Sequence, residues 1–255
     1  MQTVTNEIKD IFCVVKEIVY PGRCPVCDGI LNAFEIRNGR IRRGRLIHDD
    51  CRKKISYVKA PTCIKCGKSL GGEDVDSEYC DDCAKMRHSY DRGFSLFQYR
   101  SISGSIYRFK YMGRQEYADF YAKATQKALG KKLSGLGIDL IVPVPMYRRK
   151  AAERGYNQAE VYARKVSEIL DIPMCADLIQ RSRNTLPMKN LDVRGRRNNL
   201  KKAFNIQRND VKFKCVLIID DIYTTGSTID EISRLLRMAG VKKVYFLTLA
   251  IGQTT

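Results

Sequence analysis

The chain has 255 residues, 44% of them apolar and 29% charged, with a formal net charge of +18, and reads as a globular protein of one large or two smaller domains. No run approaches the ~18 to 20 apolar residues of a bilayer span. The opening MQTVTNEIKDIFCVV lacks the basic start and small-residue cleavage site of a secretory signal, so a cytoplasmic location is expected.

In chain order, Ile8, Ile11, Phe12, Val15, Ile18 and Val19 repeat at helical spacing before Pro21 and predict an amphipathic helix. Its apolar side is expected to pack on a domain, with peripheral contact at the inner face of the membrane as the alternative. Ten cysteines in a cytosolic chain point to metal ligation rather than disulfides. Four ligand pairs follow, each with two intervening residues: Cys24 and Cys27, His48 and Cys51, Cys63 and Cys66, Cys80 and Cys83. Two such turns complete a closed tetrahedral zinc site, so two structural Zn2+ sites are expected, paired sequentially or cross-braced. Ligation by seven thiolates would bring residues 1–92, formally +3, to about neutral.

Between the first two pairs, Asn38-Gly39 flanked by Ile36 and Ile41 predicts a two-residue hairpin. Its arginines, Arg37, Arg40, Arg42, Arg43 and Arg45, suit a phosphate backbone and equally suit the guarding of an exposed strand edge.

From residue 93 onward the net charge is +15, which favours polyanions through counterion release and also serves solubility. The stretch SIYRFKYMGRQEYADFY sets Tyr107, Phe109 and Tyr111 among basic residues, suited to base stacking or to helix packing. DLIVPVP (139–145) reads as a buried strand, and NQAEVYARKVSEIL as a helix with Ala159, Tyr162, Val166 and Ile169 on one side. The segment from Arg181 to Lys202 holds eight Lys/Arg and one acid, Asp192, and reads as a charged loop at a ligand mouth or a solvated helix face. Then come the strand CVLIID, the helix STIDEISRLLRMAG ended by Gly240, and the strand KVYFLTLAI. Strands alternating with helices imply a mainly parallel sheet, whose ligands bind beyond the carboxyl ends of its strands.

The sequence DDIYTTGST falls at such an end. Asp220 and Asp221 can accept hydrogen bonds from a ribose diol or hold Mg2+. Thr224, Thr225, Gly226, Ser227 and Thr228 bring backbone N–H groups, hydroxyls and a helix N-terminus to one point, as a phosphate requires. The competing reading is an acidic pair that caps a helix.

This nine-residue arrangement resembles the PRPP signature of type I phosphoribosyltransferases. With the cysteine pairs, IVPVPMYRRKAAERGYNQAE and NLDVRGRRNNLKKAF, nearly the whole chain resembles the ComF (ComFC-like) competence family. That resemblance implies a zinc-binding domain with an N-terminal helix over 1–92 and a phosphoribosyltransferase-like α/β domain over 93–255. It implies that Asp220 and Asp221 hold ribose hydroxyls, that 224–228 bind the 5′-phosphate, and that Arg148 and Arg149 face pyrophosphate, with Mg2+ accompanying PRPP. Met188 stands where the family often has Gln. Arg196, Arg197, Lys201 and Lys202 become nucleic-acid candidates beside the hairpin arginines, and Arg196 and Asn199, in the stretch RRNNLKKAF that resembles the family pattern, are the positions to test first.

Two functions are expected on these grounds. The first is an accessory protein that handles single-stranded DNA in natural transformation, with a sugar-phosphate pocket and the DNA-uptake or recombination machinery as partners. The second is an active phosphoribosyltransferase with an acceptor that the motifs do not disclose. No GxxxxGK[ST] loop is present, and with two histidines, one assigned to zinc, a His-based triad is disfavoured. Cys13, Cys175 and Cys215 read as core filling.

Overall fold

A computed structural model describes residues 19–37, 40–72, 75–182, 203–207 and 212–252, excluding the side chains of 36, 37 and 40–43. The helix expected over residues 8–19 lies almost wholly outside the described residues, as do Arg196, Arg197, Asn199, Lys201, Lys202 and the side chains of Arg40, Arg42 and Arg43.

The hairpin is present as β1 (Phe34–Arg37) and β2 (Arg40–Arg43), antiparallel with Arg37 opposite Arg40. Short helices α1 (Asp49–Lys53) and α2 (Asp81–Lys85) carry Cys51 and Cys83. The remaining elements are β3 (Arg92–Gln98), α3 (Tyr99–Tyr111), α4 (Tyr117–Ser134), β4 (Leu140–Pro143), α5 (Arg148–Arg154), α6 (Gln158–Leu170), β5 (Ile179–Arg181), β6 (Phe204–Ile206), β7 (Cys215–Tyr223), α7 (Ser227–Met238) and β8 (Lys243–Ile251). The central sheet runs β3-β8-β7-β4, every pair parallel, while β5 and β6 form a separate antiparallel pair.

Period-two alternation along β7 divides the interior into two cores. Leu217 and Ile219 join the core shared with α3, α4 and α6. Val216 and Ile218 join the opposite core, shared with α7, Phe204 and Tyr90. Each core also takes in one set of zinc-ligand cysteines. Cys24 and Cys51, with Leu31, Ile47 and Ile55, extend the first, and Cys63, Cys66, Cys80 and Cys83 extend the second. The sheet therefore has a metal-binding ribbon on each side.

The two ribbons are fastened differently. On the first, Asp28 accepts both Nε (2.8 Å) and Nη2 (2.9 Å) of Arg114 and the Tyr117 hydroxyl (2.6 Å), while Arg108 donates to the carbonyls of Pro25 and Val26. Burial opposes ionisation of Asp28, but the Arg114 and Tyr117 hydrogen bonds outweigh it and hold the carboxyl below its usual range. On the second, the buried Tyr90 and Tyr223 hydroxyls meet at 2.7 Å, and both rings pack on Phe246. Lys65, inside the Cys63–Cys66 turn, donates to the Tyr90 carbonyl. Gly67 (φ +76°) lies so close to β3 that a Cβ would stand 2.6 Å from the Gly93 carbonyl oxygen.

Two element boundaries differ from the sequence expectation. The strand read as ending at Asp220 continues to Tyr223, because Ile222 and Tyr223 keep their ladder with Ala250 and Ile251 of β8. The strand read over 139–145 is regular only over 140–143. Val144 still donates to Ile219 at 2.8 Å, and Pro145 has no N–H with which to continue.

Candidate functional site

The metal sites are paired sequentially. Cys24, Cys27, His48 and Cys51 form one tetrad and Cys63, Cys66, Cys80 and Cys83 the other, with the ligand atoms of each within 4.8 Å of one another. Their donor chemistry fits zinc. The Ile30 carbonyl can only accept, so His48 donates to it through Nε2 (3.1 Å) and leaves Nδ1, 3.3 Å from Cys27 Sγ, as the ligand nitrogen. In the second tetrad hydrogen bonds among the thiols pull Cys63 far down and push Cys83 far up, a crowding of acidic groups that a divalent cation relieves. Both sets are closed and leave no position for substrate, which marks them as structural.

The bend that follows β7 is a concavity lined by Asp220, Tyr223, Thr224, Thr225, Gly226, Ser227 and Thr228 among others. Thr225 Oγ1 and Ser227 Oγ lie 2.9 Å apart at its floor. Gly226 caps α7 with φ +75°, and a Cβ there would come within 2.6 Å of the Tyr223 hydroxyl, so only glycine fits. Directly behind the bend runs a crevice lined by Cys66, Cys83, His88, Thr224 and Thr225, which sets the second ribbon against the back of the loop. Asp230, in the first turn of α7, is gripped from that side by His88 Nδ1 at 2.7 Å and the Ser89 amide at 2.8 Å.

The two adjacent acids point to opposite sides of the strand and have different surroundings. Asp220 lines the concavity, and burial, then the Asp221 carboxylate beside it, pushes its carboxyl up to about 7. Asp221 is buried on the α3/α6 side, where Oδ2 accepts from Gln158 Nε2 (2.6 Å) and pairs with Lys110 Nζ (2.9 Å). Burial alone would lower the Lys110 ammonium, but the Asp221 carboxylate outweighs it and the net direction is up.

Arg148 and Arg149 open α5 just beyond the proline turn. Both are exposed, and Arg149 pairs with Glu153 at 3.2 Å. The turn itself is fixed beside the bend, since Val144 donates to Ile219 and accepts from Asn157 Nδ2 at 3.0 Å. Arg181, at the end of β5, is half-buried over the Phe204 ring. Burial lowers its pKa while the nearby Asp220 carboxylate opposes the shift.

Sequence reasoning did not nominate Lys110 or Gln158, and it reached Arg181 only as the first residue of the charged segment 181–202. One signal was available for Lys110: Ile102, Ile106 and Lys110 recur every four residues, so the apolar stripe of α3 runs into a lysine. Of the three aromatics singled out there, Phe109 is core, whereas Tyr107 and Tyr111 are 59% and 61% exposed.

Among the described residues no helix is long and apolar enough to cross a membrane. Residues 15–84 match the model of the double zinc ribbon domain, and residues 155–254 that of the phosphoribosyl transferase domain. Competence protein F of Haemophilus influenzae is 32% identical over 234 residues, covering 89% of this chain and 96% of that one. The DNA utilization protein YhgH of Salmonella typhi is 30% identical over 71% of this chain and 80% of its own length. Competence protein ComFC of Bacillus subtilis is 26% identical over 74% of this chain and 77% of its own.

Proposed function

The chain belongs to the competence protein F family, and from that premise we propose that it handles single-stranded DNA in natural transformation, with the bend after β7 as a pocket for PRPP or a related sugar phosphate. One observation carries this reading. Asp220, the hydroxyls of Thr224 to Thr228 and the start of α7 converge on one concavity at the carboxyl end of an inner parallel strand.

The 5′-phosphate takes the backbone N–H groups and hydroxyls of 224–228, and Asp220 accepts from the ribose diol. Asp221, already held by Gln158 and Lys110, is the second acceptor. Arg148 and Arg149 serve the pyrophosphate end, past the anchored proline turn. Mg2+ fits the hard carboxylate oxygens of the pair and would neutralise the diphosphate. The name of the YhgH relative, a DNA utilization protein, and the +15 charge of residues 93–255 support the DNA half of the reading. Arg40, Arg42, Arg43, Arg196, Arg197, Lys201 and Lys202 are its basic contacts. A cytoplasmic site, and exchange of DNA with uptake or recombination machinery, go with the same reading, as does a division into ribbons over 1–92 and the α/β domain over 93–255.

Calorimetric titration of Mg2+-PRPP into the wild type and Asp221→Ala tests the pocket: binding that is equal in both would reject the assignment. Affinity for oligo-dT should fall by about 0.7 log units per log unit of salt for each phosphate neutralised, and absence of binding at low salt would defeat the DNA half.

A second reading, active transfer of ribosyl phosphate from PRPP to an acceptor, is favoured by the phosphoribosyl transferase match over 155–254. In that reaction the acceptor attacks the anomeric carbon as the C–O bond to pyrophosphate breaks, and positioning with charge stabilisation is the protein's share. Pyrophosphate release with a panel of bases decides between transfer and binding alone.

A further inference from the structure

Three consecutive residues at the end of α3 face three different ways. Phe109 is fully buried, and its carbonyl accepts from the Tyr156 hydroxyl. Lys110 reaches Asp221 at the strand end. Tyr111 is left outside, 61% exposed, with the Arg154 guanidinium 4.7 Å from its ring centroid. One turn earlier Tyr107, 59% exposed, meets Tyr111 at 5.2 Å between ring centroids and a 47° tilt. Arg154 in turn donates to Gln158 Oε1 (2.5 Å), and Gln158 donates to Asp221. The exposed rings are thus tied to the acid pair by two routes, one through Lys110 and one through Arg154 and Gln158.

Large aromatic rings facing water on a helix contribute little to folding, and these two are flanked by cations. Arg154 stands at one end of the stripe, and exposed Arg100 lies about two turns before Tyr107 on the same face. From Arg100 to Tyr111 the stripe runs about 16 Å along the helix at 1.5 Å per residue. Planar rings interleaved with guanidinium groups are the arrangement that holds unpaired bases of a single strand, because every base offers a π face and every linkage a negative charge.

We propose that Tyr107, Tyr111 and Arg154 form a base-stacking platform for single-stranded nucleic acid, contiguous with the acid pair through Lys110 and Gln158. The proposal rests on the single-strand reading above and deepens it by naming the part of the ligand that this face takes: the heterocycle rather than the phosphate.

The test compares oligo-dT with an abasic deoxyribose-phosphate oligomer of the same length and charge, measured by fluorescence anisotropy on the full-length zinc-loaded protein. In Tyr107→Ala/Tyr111→Ala, affinity for oligo-dT should fall roughly tenfold or more, and affinity for the abasic strand should stay within about twofold. The slope of affinity against salt should be unchanged, since no charge is removed. Tyr107→Phe/Tyr111→Phe keeps the rings and should retain wild-type affinity for oligo-dT. Equal losses on both strands, or no loss on oligo-dT, would overturn the platform while leaving the single-strand reading intact. Absence of oligo-dT binding by the wild type would instead bring down that reading, and the platform with it. Both tyrosines are exposed, and an unchanged thermal midpoint in the alanine pair verifies that the fold is kept.

Discussion

The two zinc ribbons differ by a single ligand, yet they are joined to opposite faces of the sheet by a different balance of contacts. The first is sealed at its polar edge by charge, Asp28 against Arg114 with Arg108 on two carbonyls, at a partly exposed margin of α3 and α4. The second is sealed chiefly by buried neutral groups, the Tyr90 and Tyr223 hydroxyls and the rings on Phe246, with His88 and the Ser89 amide on the Asp230 carboxylate, and its contacts end on the back of the Thr224–Thr228 bend. Similar metal chemistry therefore does two jobs. One ribbon braces the helices that carry the exposed tyrosines, and the other fixes the shape of the pocket loop.

The largest expected effect separates these jobs outright. Cys63→Ser/Cys66→Ser should lose one of two bound zinc ions by elemental analysis and abolish PRPP binding, because Tyr90 and the Lys65 contact lose their frame. Cys24→Ser/Cys27→Ser should also lose one zinc but keep PRPP affinity within about twofold, its damage falling on oligo-dT binding. Loss of PRPP binding in both pairs alike would break the comparison.

A smaller effect sharpens it at the level of one hydrogen bond. Tyr223→Phe leaves the Tyr90 hydroxyl buried without its partner and should cost about 1–3 kcal/mol in urea unfolding. Tyr90→Phe/Tyr223→Phe removes both hydroxyls and should recover most of that loss. Two additive losses would mean that the pair is not coupled.

The pocket side should also respond to pH in a way the other ribbon's contact does not. With Asp220 raised to about 7, the folded protein holds a proton there that the unfolded chain releases near the ordinary value of about 4. Stability from this group is thus greatest below pH 4 and declines as pH rises toward 7. In the proposed site Mg2+ would bind the ionised form, so Mg2+-PRPP affinity should weaken by up to about tenfold per pH unit below 7 and level off above it. Asp220→Asn should flatten that profile, and an unchanged profile in the variant would assign the dependence elsewhere. Asp28 runs the other way: its lowered carboxyl adds stability above its unfolded value, which is lost as pH falls.

The smallest effect tests the charged seam. Arg114→Ala should cost about 1 kcal/mol in thermal or urea unfolding, the usual ceiling for a partly solvated pair, and should leave PRPP binding unchanged.

What the sequence disclosed and what it withheld follow from the distance along the chain over which each feature is built. Zinc ligands come as pairs with two residues between them, so Cys63 and Cys66 announce their shared ion locally. The apolar run of β7 and the helical stripes of α6 and α7 are also local, and they placed the acid pair at the carboxyl end of a strand in a mainly parallel sheet; that the strand is an inner one with alternate residues in two cores came only from the structure. The groups that surround those acids are not local. Gln158 lies 63 residues before Asp221, and Tyr90 lies 133 before Tyr223. His88 meets its carboxylate, Asp230, from 142 residues away, through the packing of α7. The pyrophosphate role of Arg148 and Arg149 is what the family resemblance implies; both are exposed at the start of α5, outside the lining of the bend itself.

Consecutive carboxylates on one strand have a thermodynamic consequence. Because Asp220 opens to one core and Asp221 to the other, a molecule touching both straddles the partition between two otherwise separate interiors. Its occupancy would weld halves that are independently anchored, adding about 2.7 kcal/mol to their joint resistance to unfolding at a hundredfold excess over Kd.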